Sequence, residues 1–143
     1  MYEYRVKSID RIIDGDTVDV TIDLGFSLYF KERVRVAGVD TPEVRTRNLR
    51  EKQLGFDASE FVEDWFAEVG ELVIRTDKDD KYGRTLGYFY RGEECLNDRI
   101  VEEGWGWAYG GGTKYDADNE EHLLMLLNKR GYETWEEYSE ANQ

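Results

Sequence analysis

The chain has 143 residues, of which 19 are basic and 32 acidic, and its formal net charge is −13. This length favours one domain with a core of its own, and 40% hydrophobic and 14% aromatic residues exclude a disordered chain. The acidic balance argues against a protein that coats nucleic acid passively. The single cysteine, Cys95, excludes an intrachain disulfide and a cysteine-based metal cage.

The first strands are predicted from alternating residues. Residues 2–13 alternate up to Asp14-Gly15-Asp16, a turn signal. Residues 17–24 alternate again, and their apolar face consists of Val18, Val20, Ile22 and Leu24. The third strand is LYFKERVRVAGV, residues 28–39.

After the third strand the apolar period becomes that of an amphipathic helix. Its apolar face consists of Leu54, Ala58, Phe61, Val62, Trp65, Phe66 and Val69. We expect this helix to begin near Gly55 or Asp57, because glycine is unfavourable in a helix interior. Gly70 is placed where a C-terminal cap belongs.

The second half predicts two more strands, residues 71–76 and 84–90, and helices at 96–104 and 121–131. Thr134 with Glu137 resembles a capping box, which favours an additional helical turn. The fold class is therefore α+β, and a five-stranded OB-type β-barrel with three packed helices accommodates these elements. We expect one domain over residues 1–143, with its core at about 3–132 and an acidic C-terminal extension at 133–143.

Location and charge distribution give two further expectations. The N-terminal segment MYEYRVKSID lacks the apolar stretch of a signal peptide, so we expect a cytoplasmic protein, encoded by a cell or by a virus. We also expect a monomer that does not bind a membrane. Residues 31–52 hold seven basic and four acidic side chains, whereas residues 93–143 hold four basic and thirteen acidic ones. A basic rim around an anion site and a solvated acidic half both fit this asymmetry.

Three clusters at strand ends could carry chemistry: Asp14-Gly15-Asp16-Thr17, Asp40-Thr41-Pro42-Glu43 and Lys81-Tyr82-Gly83-Arg84. Each cluster alone is typical of an ordinary turn. Asp16 and Asp40 together offer the hard oxygen donors that bind Ca²⁺ or Mg²⁺. The sole histidine, His122, lies in a predicted helix, so a carboxylate has to act as the base, and Glu43 is the candidate.

The basic partners of these carboxylates are Arg35 and Arg84. Each guanidinium group matches two phosphate oxygens in a planar fork. A cation and two arginines would neutralise the charge that develops when water attacks a phosphodiester.

Five motifs occur in an order that resembles the staphylococcal nuclease (thermonuclease-like) family over roughly residues 5–132. They are IDGDTV (13–18), RVRVAGVDTPE (33–43), GFDASEF (55–61), DKYGRTLGYFY (80–90) and LNDRIVEEGWGWAY (96–109). The resemblance implies a five-stranded OB-type barrel with three helices. It also implies a Ca²⁺-dependent phosphodiesterase, an endo- or exonuclease whose substrates are DNA and RNA.

The resemblance also implies roles by position. Asp16, Asp40 and the backbone carbonyl of Thr41 correspond to ligands of Ca²⁺, the expected cofactor, and Asp14 lies behind them. Glu43 corresponds to the catalytic carboxylate that acts on the attacking water, and Arg35 and Arg84 correspond to catalytic arginines that bind phosphate. The positions that line the nucleotide pocket are Lys81, Tyr82 and Tyr109.

Departures from the family archetype lead to further expectations. The span from Asp16 to Arg35 is longer, so the hairpin that carries DLGFSLYF should protrude. Three glycines follow Tyr109 where the archetype has a second tyrosine, which leaves base preference open. Arg35 and Asp40 differ by an odd number, so a regular strand would direct them to opposite faces. We therefore predict a bulge or a sharp bend near Gly38.

Two other functions remain open. A barrel of this type can be a non-catalytic nucleic-acid- or protein-binding module, because fold alone does not determine function. Such modules usually lack one or more of the five charged residues that are all present in this chain. The net charge of −13 also allows an acidic interaction protein, although it does not explain the arrangement from Arg35 to Glu43.

Overall fold

The computed structural model describes residues 1–77, 83–109 and 115–143. Five long strands lie in these ranges: β1 (Tyr2–Asp14), β2 (Thr17–Gly25), β3 (Leu28–Val36), β5 (Leu72–Thr76) and β6 (Thr85–Arg91). The two-residue strands in the described ranges are β4 (Val39–Asp40), β7 (Glu94–Cys95) and β8 (Trp107–Ala108).

The long strands close into a barrel. They are ordered β3-β2-β1-β5-β6, β7 extends the sheet beyond β6, and a parallel pairing of β3 with β6 joins the two ends. The pairing of β1 with β2 shifts register three times, and such irregularities let a 13-residue strand curve around the barrel. The predicted five-stranded barrel is confirmed.

The barrel interior is filled by the alternating residues of its strands. Val18, Val20 and Ile22 are buried as the alternation predicts, and they pack with Val62 and Trp65 of the first helix. Leu24, the last residue of the same face, is 44% exposed. The strand has extended past the barrel at that point.

Four helices lie in the described ranges, where three were predicted: α1 (Leu49–Ala67), α2 (Leu96–Glu102), α3 (Glu120–Lys129) and α4 (Trp135–Ala141). The fourth helix begins at the predicted capping box, where the side chain of Thr134 accepts the N–H of Glu137 at 3.2 Å. Tyr138 of α4 is 3% exposed and packs with Leu126 and Leu127 of α3. The C-terminal extension is therefore packed on α3.

The predicted ends of the first helix are wrong. The helix begins at Leu49, because Asn48 caps it by accepting the N–H groups of Arg50 and Glu51. It ends at Ala67, and Val69 beyond it is 98% exposed. Gly70 therefore does not cap the helix. Gly55 lies inside the helix where a Cβ would overlap the backbone of Pro42 and Glu43.

The hairpin between β2 and β3 protrudes, as expected. Its exposed apolar residues are Leu24, Phe26, Leu28, Tyr29 and Phe30. Among the described residues, no helix has both the length and the apolar character needed to cross a bilayer.

Candidate active site

A turn between β3 and β4 brings Arg35 and Asp40 together. Strand β3 ends at Val36, and the backbone then passes through Gly38 with a φ of +77°. Asp40, at the end of β4, lies with its Oδ1 atom 3.6 Å from Nη2 of Arg35. The bend predicted near Gly38 is confirmed. It brings the side chains of Arg35 and Asp40 together, whereas a regular strand would direct them to opposite faces.

Arg35 lies between two carboxylates. Its side chain is 6% exposed, and its Nη1 atom lies 3.3 Å from Oδ2 of Asp16 while Nη2 approaches Asp40. Nη1 also donates to the backbone carbonyls of Asp16 at 3.3 Å and Val36 at 3.4 Å. Two buried negative charges therefore share one positive charge, and limited solvent strengthens their attraction for a further cation.

Asp16 connects the β1–β2 turn with the ends of β3 and β4. Its Oδ2 accepts the N–H of Thr41 at 2.9 Å, and its Oδ1 accepts the hydroxyl of Thr17 at 3.0 Å. Its backbone carbonyl accepts the N–H of Val36 at 2.7 Å. A Cβ on the preceding Gly15 would lie 2.9 Å from the Cβ of Ala58, so helix α1 packs directly on this turn.

Glu43 follows on an exposed turn whose backbone is held on both sides. The N–H of Glu43 donates to Oε2 of Glu51 at 3.2 Å, and the N–H of Val44 donates to Oδ1 of Asp14 at 3.2 Å. Burial raises the pKa of Asp14 above its ordinary value, which the hydrogen bond from Val44 partly opposes. Asp14 therefore supports the turn that carries Glu43.

The oxygen donors of this corner fit a hard cation. Asp16 and Asp40 are 7% and 5% exposed, and the hydroxyl of Thr41 is buried without a hydrogen-bond partner. The described residues contain no group of three or more His, Cys, Asp or Glu side chains suited to a metal. Calcium sites commonly combine carboxylates with backbone carbonyls and waters, so Asp16, Asp40 and the backbone of Thr41 offer donors of the type that such a cation takes.

The remaining predicted site residues fall into two groups. Arg84 is exposed and immediately precedes β6, whose residue Thr85 pairs with Val34 in parallel, so Arg84 lies beside the strand that carries Arg35. Tyr109 is half-buried with its ring 6.0 Å from the guanidinium carbon of Arg35. The other two, Lys81 and Tyr82, lie outside the described residues.

Two supporting residues were not predicted from the sequence. The buried amide of Asn97 donates to the carbonyls of Ala37 at 2.8 Å and Gly87 at 3.0 Å, which ties the β3–β4 turn to β6. Glu51 accepts the N–H of Glu43 from the first turn of α1. The only local signal was the position of Glu51 three residues after Asn48, a spacing typical of helix starts.

Comparison with known proteins identifies the family. A family model described as "Staphylococcal nuclease homologue" matches residues 33–131. The chain belongs to the staphylococcal nuclease family. The match spans the corner from Arg35 to Glu43 and the segment up to Tyr109, so it covers most of the candidate site that the fold assembles.

Individual relatives agree with the family assignment. A thermonuclease of Staphylococcus intermedius is 34% identical over 124 residues, which is 86% of this chain and 66% of the relative. A thermonuclease of Staphylococcus hyicus is 35% identical over 102 residues, or 70% and 57% of the two chains. An endonuclease of Bacillus subtilis is 31% identical in an alignment over 140 residues that covers 89% of this chain and 64% of the relative. This member of the staphylococcal nuclease family therefore spans about two thirds or less of the length of these relatives.

Proposed function

We propose that this protein is a Ca²⁺-dependent phosphodiesterase that hydrolyses DNA, RNA or both. The observation that carries the proposal is the position of the buried Arg35 guanidinium between Asp16 and Asp40. The backbone of Glu43 lies at the same corner, and relatives over most of the chain are named thermonucleases and endonucleases.

The cation and the arginines would both stabilise negative charge on the phosphate, from different positions. Asp16, Asp40 and the Thr41 carbonyl would hold Ca²⁺, which supplies positive charge beside the phosphate. The planar fork of Arg35 would bind phosphate oxygens and stabilise the charge that increases as the bond to the attacking oxygen forms. Arg84, at the start of the strand beside β3, would approach the phosphate from the solvent side.

Glu43 and the aromatic residues would complete the site. Glu43 is exposed on its turn, so its carboxylate would orient the attacking water and accept a proton from it. Tyr109 next to Arg35 would contact the nucleotide, and Lys81 and Tyr82, which precede Arg84 in the sequence, would bind it as well. Asp14 would keep the Glu43 turn in place through Val44.

The proposal is tested by digestion of plasmid DNA and of RNA with Ca²⁺ or with a chelator, using wild type, Glu43→Gln and the control Glu63→Gln on the exposed face of α1. We expect cleavage that needs Ca²⁺, a kcat at least about 100-fold lower for Glu43→Gln, and no change for Glu63→Gln. Cleavage that ignores both the chelator and Glu43→Gln would contradict the mechanism. Tight oligonucleotide binding without cleavage in any metal would instead indicate a binding module.

A further inference from the structure

Glu51 is a buried carboxylate that the proposed mechanism does not use. It lies on the first turn of α1 with 8% of its surface exposed. Its Oε2 atom accepts the backbone N–H of Glu43 at 3.2 Å. A buried carboxylate is costly unless it is hydrogen-bonded, and the N–H of Glu43 supplies such a bond to Glu51.

The position of Glu51 in its helix makes this contact unusual. A glutamate three residues after an N-cap commonly accepts the N–H of the cap residue. Here the N–H of Asn48 donates to the hydroxyl of Thr46 at 3.2 Å instead. The side chain of Asn48 caps the helix by accepting the N–H groups of Arg50 and Glu51 at 3.1 Å. The Glu51 carboxylate is thereby directed towards Glu43 instead of its own helix end.

Gly55 provides a second contact between α1 and the same backbone. A Cβ at Gly55 would lie 2.7 Å from the carbonyl carbon and oxygen of Glu43 and 2.9 Å from the carbonyl oxygen of Pro42. Residues four apart lie on one helix face, so Glu51 and Gly55 form one surface against Pro42 and Glu43. Leu54 and Ala58 beside them are buried, which fixes α1 on the rest of the protein.

Asp14 and Asp16 hold the other side of the turn. Asp16 accepts the N–H of Thr41, and Asp14 accepts the N–H of Val44. These two contacts come from the side of the proposed cation, whereas Glu51 comes from the helix. A change at Glu51 can therefore displace Glu43 while the cation ligands keep their contacts.

We infer that Glu51 is a positioning residue, which holds the backbone of Glu43 so that its carboxylate meets the attacking water. This inference rests on the proposed function. Misplacement of a reacting group by about 1 Å can cost up to about 100-fold in rate. One hydrogen bond and one close contact from a packed helix are suited to prevent such a displacement.

The kinetic test compares Glu51→Ala, which removes the acceptor, with Glu51→Gln, which retains an acceptor oxygen. Glu63→Ala controls for the loss of an exposed glutamate on α1, and Thr134→Ala controls for lost stability at the cap of α4. For Glu51→Ala we expect a kcat at least about 10-fold lower, with KM and calorimetric Ca²⁺ affinity near those of wild type. Glu51→Gln and both controls should retain most of the kcat.

Gly55→Ala is a second variant that acts on the same backbone, through steric overlap with backbone atoms of Pro42 and Glu43 instead of through a lost hydrogen bond. Alanine favours a helix interior more than glycine does, but its Cβ would displace the carbonyl of Glu43. We expect this variant to fold and to lose kcat as Glu51→Ala does. A Gly55→Ala variant with wild-type kcat would contradict the inference.

A structural readout separates this inference from the proposed function. Amide hydrogen exchange of Glu43, followed by NMR, should be faster in Glu51→Ala and unchanged in Glu51→Gln. Unchanged exchange in Glu51→Ala, or a kcat equal to that of Glu63→Ala, would overturn the inference while wild-type cleavage upheld the function. An equal loss of kcat in Glu51→Gln would also overturn it. If the wild type cleaves no substrate, both the proposed function and the catalytic role of Glu51 are contradicted. This holds even if faster exchange of the Glu43 amide in Glu51→Ala shows that the hydrogen bond exists.

Discussion

Single buried amides and carboxylates determine where the backbone of this site lies. Asn97 is 4% exposed, and its side chain bonds three backbone groups, namely the carbonyls of Ala37 and Gly87 and the N–H of Phe89, and also accepts a hydrogen bond from the thiol of Cys95. Ala37 is the first residue of the turn that lies between Arg35 and Asp40 in the sequence. A residue of α2 that lies away from the charged cluster therefore determines the geometry of that cluster.

Replacing Asn97 by alanine should destabilise the protein strongly. The change leaves two carbonyls and one N–H buried without this partner, and we expect the free energy of unfolding to fall by about 3 kcal/mol. Urea unfolding measures the change, with Asn128→Ala on the exposed side of α3 as a control that should stay within about 0.5 kcal/mol. A loss below about 1 kcal/mol would show that other groups replace the amide.

Glu94 should contribute to stability only while it is ionised. The hydrogen bond from Trp65 Nε1, together with Arg99, holds the pKa of Glu94 below its ordinary value of 4.5. A lowered folded-state pKa gives stability that is present above the ordinary pKa and is lost as the pH falls through the folded one.

When the pH falls through the ordinary and the folded-state pKa of Glu94, the unfolding free energy of wild type should therefore decrease. We expect that of Glu94→Gln to decrease less. Urea unfolding at several pH values measures this difference, and the exposed neighbour Glu93 supplies the control Glu93→Gln. Identical pH profiles for wild type and Glu94→Gln would contradict the assignment.

At the scale of elements, a column of two stacked rings flanked by two arginines joins the helices. The rings of Phe61 and Trp105 stack with centroids 5.2 Å apart and planes 12° apart. The guanidinium of Arg130 lies 4.5 Å from the Trp105 ring centroid, and that of Arg99 lies 5.5 Å from the centroid of Phe61. Cation–π contacts of this kind stabilise helix packing where one side of the ring is shielded from water. The column thus fixes α1, which supplies Glu51.

The β2–β3 hairpin has strained turn residues. Gly25 pairs with Leu28, so Phe26 and Ser27 form a two-residue loop, with φ values of 56° and 61°. Positive φ at both positions defines the type I′ turn, which favours Asn-Gly. Phe26 gains no packing in return, because it is 98% exposed.

The double variant Phe26→Asn, Ser27→Gly should stabilise the protein by about 1 kcal/mol, because it relieves the left-handed conformation of two ordinary residues. Thermal and urea unfolding measure the gain, and Ser139→Gly within α4 is the control that should lower stability. A lower stability of the double variant would mean that the Phe26 side chain contributes contacts to the hairpin.

At the scale of the whole molecule, the net charge of −13 opposes compaction. Basic side chains are concentrated between residues 31 and 52, where Arg35 and its carboxylates form the candidate site. Repulsion among the other carboxylates acts over the surface and is screened by salt. The proposed nucleic-acid substrate would therefore meet local attraction at this basic segment and overall repulsion from the net charge.

Added salt should raise the stability of this protein. Between about 0.01 M and 0.15 M ionic strength the screening length falls from about 30 Å to about 8 Å, which weakens long-range repulsion. We expect a Tm higher by a few degrees in NaCl without divalent ions, measured by calorimetry, with sucrose at equal osmolality as the control. A Tm that falls with salt would show that attractive ion pairs outweigh the net charge.

The sequence by itself predicted the five long strands and the existence of the main helices, because the two-residue and helical periods depend on neighbours along the chain. It also singled out the charged residues of the site and the bend at Gly38, which the parity of Arg35 and Asp40 required. Helix propensity alone predicts a start of α1 that is too late, because it treats Gly55 as unfavourable in a helix interior. Its contact with the Glu43 carbonyl comes from the folded chain.

Only the tertiary structure decided how these residues meet. Closure of β3 on β6, the contact of Asn97 with the β3–β4 turn and the hydrogen bond from Glu43 to Glu51 depend on side-chain placement in the closed barrel. No local pattern encodes such contacts, because each one joins segments whose proximity is created by burying the shared core. The sequence thus determined which side chains are available for chemistry, and the packed barrel and helix α1 decided which of them meet.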